Sequence, residues 1–287
     1  MKALKIVVLA KQVPDTRNVG KDAMKADGTV NRAVLPAIFN PEDLNALEQA
    51  LQIKDALPGT HICLLTMGPP RAAEIIREGL FRGIDEGILL TDRKFAGSDT
   101  LATSYALALA VKKLNPDIII AGRQAIDGDT AQVGPQVAEK LNFPQITYAE
   151  QIYILGSTIR VKRRLEHGSE LVECPLPALV TVGSSAPVCR TRNAKLTLKY
   201  KHAATNTELQ EQSSDYFMHN KPYLKITEWG VDEIGADAEQ LGLSGSPTKV
   251  KKIENVVFSA KDTIQLNDNY TEVESMVKDL ITSHIIG

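Results

Sequence analysis

Through its first half the chain alternates short, unbroken apolar runs with longer segments that are apolar on one face only. "LKIVVLA" (4–10) is continuous and rich in β-branched residues, as befits a strand covered on both sides. "NPEDLNALEQALQIKDA" (40–56) spaces Leu44, Leu47, Ala50 and Leu51 along one helical face. Asn40 stands at the cap, Pro41 at the first helical position, and acids follow in the first turn. The alternation continues with a strand at 60–68, a helix at 70–83, a strand at 86–92 and a helix at 98–114 capped by Ser98 or Asp99. A strand at 116–122 and a helix at 130–141 follow. Such a rhythm predicts an α/β fold, a doubly wound, mostly parallel sheet with right-handed crossovers.

The rhythm changes after about residue 145. Residues 146–166 read as a hairpin with Gly156-Ser157 in the turn. "VKRRLEHG" (161–168) reads as its solvated edge, where charge blocks further pairing. "CPLPALVTVG" (174–183) supplies a buried strand that returns to the sheet. From about 190 apolar residues thin out, and Gly242, Gly245 and Pro247 break any helix in "GLSGSPTKVKKIENVVF" (242–258). The expected division is therefore a nucleotide-binding α/β domain over 1–190 and a segment over 191–287 that ends in an extended arm. A tail that cannot bury itself is expected to wrap another subunit.

The formal net charge of the 287 residues, -2, argues against a nucleic-acid or membrane-surface role. Cys63, Cys174 and Cys189 are scattered and odd in number, which reads as reduced thiols. The opening apolar run is too short for a secretion signal, and no stretch is long enough to span a bilayer, so a cytoplasmic location is expected. The histidines lack metal-binding spacing, and no catalytic triad or carboxylate pair can be assembled from this order.

Ligands of open parallel sheets sit beyond the carboxyl ends of the strands. "GRQAIDGDTAQVG" (122–134) falls there, between a strand and a helix. Its glycines admit close approach of an anion, the amides of 128–131 are candidate donors, and the next helix adds positive potential. The plainer reading is a loop of ordinary turn formers. It matches neither GxGxxG nor GxxxxGK[ST], and Asp127 and Asp129 must turn away from any phosphate. Asn40 has two readings, a helix cap or a contact to an adenine edge or ribose. Thr100 and Thr103 share a helical face, either as solvated surface or as hydroxyls for a polar ring edge. The residues alone describe a nucleotide-binding protein with no catalytic machinery of its own.

"KQVPD", "NPEDLNALEQAL" and above all "GRQAIDGDTAQVGPQVAEKL" resemble the β subunit of electron transfer flavoprotein. "LPALVTVG" and "LGLSGSPTKV" fit the same family, so the resemblance spans nearly the whole chain. It implies an adenine-nucleotide-hydrolase-like or flavodoxin-like sheet and a heterodimer with an α subunit carrying a second FAD, wrapped by the C-terminal arm. Some family members hold a structural AMP in the β subunit. Others hold an FAD that takes hydride from NADH and bifurcates electrons to ferredoxin or flavodoxin and, through the α-subunit FAD, to an acceptor dehydrogenase.

"SDTLATSYALA" and "DGDTAQVGP" resemble the bifurcating type. The resemblance then implies an electron-transfer subunit of an oxidoreductase complex. Gly122, Arg123, Gln124, Ala125, Asp127, Gly128, Asp129, Thr130, Gln132 and Val133 would meet pyrophosphate and ribose. Leu9, Ala10, Asn40 and Met67 would meet the adenosine, and Thr100 and Thr103 the ring. The resemblance implies an acyl-CoA dehydrogenase-type flavoprotein as partner, but the region "APVCRTRNAKLTLKYKHA" (186–203) lacks the apolar anchor of that docking mode, which makes a lactate dehydrogenase-type flavoprotein the runner-up.

Overall fold

In the computed structural model, which describes residues 3–15, 35–212, 221–248 and 265–286, the first apolar run is strand β1 (Lys5–Leu9), with Ile6, Val7 and Val8 fully buried. A small antiparallel ribbon of β2 (Gln12–Pro14) and β3 (Ala37–Phe39) leads into helix α1 (Pro41–Ala56). Strand β4 (His61–Met67), helix α2 (Ala73–Arg82), strand β5 (Glu86–Leu90) and helix α3 (Thr100–Leu114) follow in turn. Strand β6 (Ile118–Gly122) and helix α4 (Val133–Leu141) complete the expected alternation.

Because side chains alternate across a strand, each central strand feeds two cores. Ile6, Val8, Ile62 and Leu64 join the core under α1 and α2. Val7, Leu9, Cys63 and Leu65 face α3 and α4. Strands β4 and β6 flank β1, both parallel to it, and β5 lies beyond β4. The chain therefore grows outward from β1 on one side and restarts on the other at β6. That reversal makes the β1/β6 gap the switch point, where loops diverge to opposite faces.

The later strands are β7 (Gln145–Leu155), β8 (Thr158–Leu165), β9 (Gly168–Pro175) and β10 (Ala178–Val182). β10 returns between β6 and β7, parallel to both, as a fully buried strand. The charged run at 161–168 is not the sheet edge that its sequence suggested. β8 is paired on both sides, and β9 takes the edge. Cross-strand pairs make this possible: Arg160 meets Glu173 at 2.5 Å and Arg163 meets Glu170 at 2.7 Å.

Residues beyond 190 do not stay outside the sheet. After helix α5 (Ala194–Tyr200), strand β11 (Ala204–Thr205) and helix α6 (Asn206–Gln212), strand β12 (Lys225–Trp229) pairs with β5. Its neighbour β11 ends a ten-stranded sheet of order β11-β12-β5-β4-β1-β6-β10-β7-β8-β9. Tyr200, Ala203, Leu224 and Ile226 are buried there. The first compact unit reaches Lys251. β11 and β12 are too short to show a period in the sequence.

Helix α7 (Val231–Ile234) follows β12, and residues 242–248 fold back in turns, so the start of the expected arm belongs to the same unit. The arm's continuation over 249–258 falls outside the described residues. The second unit, Lys252–Gly287, contains helix α8 (Tyr270–Thr282), capped by Asn269, which accepts from the Glu272 amide at 2.9 Å. Val273, Val277 and Ile281 lie one turn apart along it and are exposed.

Candidate functional site

A cavity of about 360 Å³ opens at the switch point, beyond the carboxyl ends of β1, β4 and β6. Leu9, Leu65, Met67, Phe95, Leu107 and Ala121 give it an apolar wall. The loop after β6 gives it a polar one. Of the residues implied by the resemblance, Leu9, Ala10, Met67, Thr100, Thr103, Gly122, Arg123, Gln124, Ala125, Gly128, Asp129, Thr130, Gln132 and Val133 all line it. Asn40 and Asp127 do not.

The start of α1 builds the loop. Asn40 makes no cap bond. It is fully buried and bridges the loop instead: Nδ2 donates to Gln124 O at 2.9 Å, and Oδ1 accepts from the Ile126 amide at 3.1 Å. One N–H and one lone pair of its amide are thus engaged by the loop backbone. Glu42 accepts from the Gln124 amide at 3.0 Å and pairs with the Arg123 guanidinium at 3.2 Å. Arg123 also lies 5.6 Å from the centre of the Tyr148 ring. Asp43 accepts from the Lys11 amide at 2.8 Å and the Gly122 amide at 3.1 Å, so one carboxylate ties the ends of β1 and β6 together. Burial pushes the Asp43 carboxyl up to about 7, although those two amides and Asn40 pull the other way. The acids of this turn read as partners of the helix dipole in sequence. Their acceptor role needs the loop to be in place.

Asp127 is held outside the cavity wall by Lys11, whose Nζ lies 2.8 Å from Oδ2. The Gly128 and Asp129 amides turn back onto Ala125 O at 3.3 and 2.9 Å. Those two therefore drop out of the expected donor set. The amides of Thr130, Ala131 and Gln132 bond to no acceptor among the described residues. Asp129 and Ala131 hold left-handed backbone, φ 48° and 53°, a strained choice for residues with a β-carbon. This is why α4 starts at Val133 and not at 130. A β-carbon on Gly128 would meet nothing within 4 Å, so the space beside it is open.

Across the cavity, Asp99 and not Ser98 caps α3, accepting from the Leu101 and Ala102 amides at 2.9 and 3.1 Å. Thr100 Oγ1 donates to Gln132 Oε1 at 2.9 Å, spanning the gap between the first turn of α3 and the loop before α4. The sequence-based set had omitted Lys11, Asp43, Leu65, Phe95 and Asp99, which come from other elements and gain their place only through the fold.

The electron transfer flavoprotein domain profile matches residues 27–208. The chain is 45% identical over 249 residues, 87% of each chain, to the electron transfer flavoprotein subunit beta of Clostridium acetobutylicum. The chain belongs to the electron transfer flavoprotein family. Its β-subunit type is supported along the full length as well. The acryloyl-CoA reductase electron transfer subunit gamma of Anaerotignum propionicum is 40% identical over 99% of this chain and 100% of its own. The caffeyl-CoA reductase-Etf complex subunit CarD of Acetobacterium woodii is 41% identical over the same shares. Family members thus serve complexes with reductases, and the α/β sheet is the family's domain. Among the described residues no helix is long and apolar enough to cross a membrane.

Proposed function

We propose that this electron transfer flavoprotein β subunit holds FAD in the switch-point cavity and passes electrons taken from NADH to two acceptors. One is ferredoxin or flavodoxin. The other, reached through the FAD of an α subunit, is an acyl-CoA or lactate dehydrogenase-type flavoprotein. The observation that carries the reading is the row of amides at Thr130, Ala131 and Gln132 that have no acceptor among the described residues, in a cavity wall facing an apolar one. Thr130 and Gln132 are exposed and Ala131 is half-buried, so their amides are open to a ligand that enters the cavity. A pyrophosphate supplies the acceptors, and the N-terminus of α4 favours its charge.

The flavin, when bound, supplies hydride acceptance and one-electron transfer. The chain's own residues bind and orient it. Leu9, Leu65 and Met67 offer apolar surface to an adenosine, and open space beside Gly128 leaves room for phosphate. Thr100 and Thr103 place hydroxyls along the same cavity for the polar edge of the ring. Arg123, paired with Glu42 and close to the Tyr148 ring, keeps positive charge at the cavity wall. A cytoplasmic location and an arm that wraps the α subunit belong to the same proposal.

The test is the nucleotide released on denaturing the purified α/β complex, quantified by chromatography. Two FAD per heterodimer supports this reading. One FAD and one AMP assigns the chain to the carriers whose β subunit holds a structural nucleotide, and the threonine pair then has no role at a ring.

A further inference from the structure

The first turn of α3 does not stand alone. Asp99 Oδ2 accepts two bonds from Thr248, the amide at 3.1 Å and Oγ1 at 2.7 Å. The Asp99 amide donates to Ser246 Oγ at 2.8 Å, and Ser246 is buried. Ser246 Oγ in turn donates to Gly242 O at 2.5 Å, and the Gly242 amide donates to Ser98 Oγ at 3.1 Å. The Leu243 side chain packs on Gly97, where a β-carbon would lie 2.7 Å from it. Residues 242–248 therefore clasp Gly97, Ser98 and Asp99, all three of which line the cavity.

These bonds cross about 150 residues of sequence and hold a cap that already serves the Leu101 and Ala102 amides. Each Asp99 oxygen thus has a distinct task, one for the helix and one for the clasp. Burial works to raise the Asp99 carboxyl, and the Thr248 hydroxyl and the backbone amides outweigh it, holding it below the usual carboxylate value. Thr100 and Thr103 follow at once on the same turn and on the cavity wall.

We propose that Ser246 and Thr248 are positioning residues for the nucleotide site. By fixing Asp99 they fix where Thr100 and Thr103 stand against a bound nucleotide, so this C-terminal strap and the cavity are linked. The inference rests on the proposed nucleotide reading. Linkage is reciprocal: what the strap gives to nucleotide retention, the nucleotide returns as protection of the strap.

The experiment compares wild type with Thr248→Val and Thr248→Ser in the intact α/β complex. Thr248→Val keeps the backbone bond to Asp99 and removes the hydroxyl, and Thr248→Ser restores it. The readouts are the release rate of the native nucleotide, the visible spectrum of any bound flavin, and melting of the nucleotide-free complex. Release about tenfold faster in Thr248→Val is expected from a coupling of ordinary size. Thr248→Ser should release near the wild-type rate, and nucleotide should slow hydrogen exchange at the Gly242 and Thr248 amides. Equal release from wild type and Thr248→Val overturns the inference, as does a serine variant as fast as the valine one. A loss of melting temperature that accounts for the whole effect also overturns it. A wild-type complex carrying no nucleotide overturns the site reading and this inference together, whereas bound nucleotide with equal rates overturns this inference alone.

Discussion

Gly122 and Asp43 approach so closely that a β-carbon on the glycine would lie 2.2 Å from the carboxylate Oδ1 and 2.8 Å from the Asp43 amide. The last residue of β6 is thus a glycine because the first turn of α1 occupies the side-chain position. Its role is helix-to-strand contact, and room for an anion lies further along the loop. Gly122→Ala should push α1 away and cost about 1–3 kcal/mol, in the range for overpacking. Thermal unfolding of the complex measures the cost. An unshifted midpoint would show that the α1 contact can yield freely.

Asp43→Asn replaces an acceptor with a group that must present N–H to one of two backbone donors. The unpaired amide should cost about 1–3 kcal/mol. The pH dependence has a definite sign. The Asp43 carboxyl is raised from 3.8 to about 7 in the folded chain. Its contribution to stability is then fully present below about pH 4 and is lost as pH rises through about 7. The advantage of wild type over Asp43→Asn should shrink across that window. Denaturant unfolding at several pH values reads it, and a constant difference refutes the raised value.

The Lys11–Asp127 pair is exposed on the lysine side, so its loss should change stability by less than about 1 kcal/mol. Asp127→Asn leaves Lys11 at the cavity wall without this carboxylate partner. Nucleotide affinity should rise severalfold in low salt and converge on wild type in high salt, where screening removes the difference. Dissociation constants at two ionic strengths decide it. Equal affinities at low salt would show that Lys11 takes no part in binding.

Thr100→Val combined with Thr103→Val removes both hydroxyls from the cavity and leaves Gln132 Oε1 without its 2.9 Å donor. Weaker flavin retention or a shifted flavin potential is expected. Unchanged flavin content together with unchanged potential would place the ring elsewhere.

Much of the first half was legible because buried parallel strands and amphipathic helices carry distinct periods. "LKIVVLA" and "ALVTV" could be read as covered strands on their own. The loop at 122–134 stood out by its position after a strand and by its resemblance to the family, and it lines the switch-point cavity. The second half was less so. β11 has two residues and β12 five, and their places beside β5 depend on a crossover that no local pattern encodes.

Asn40, Glu42 and Asp43 show the same limit at the site. The sequence determined that a helix begins there, since Pro41 and the acids suit its first turn. Only the tertiary structure decided that their side chains serve the loop after β6 and the end of β1, about 80 and 30 residues away. The same holds for Thr248, whose hydroxyl finds Asp99 across the fold. Periodicity and propensity act over a few residues. Hydrogen bonds between distant segments form only when the sheet brings them together, so the sequence determined the alternating elements of the first half, the sheet's mostly parallel character and the family, while the packed chain decided where the short late strands pair and which side chains hold the cavity open.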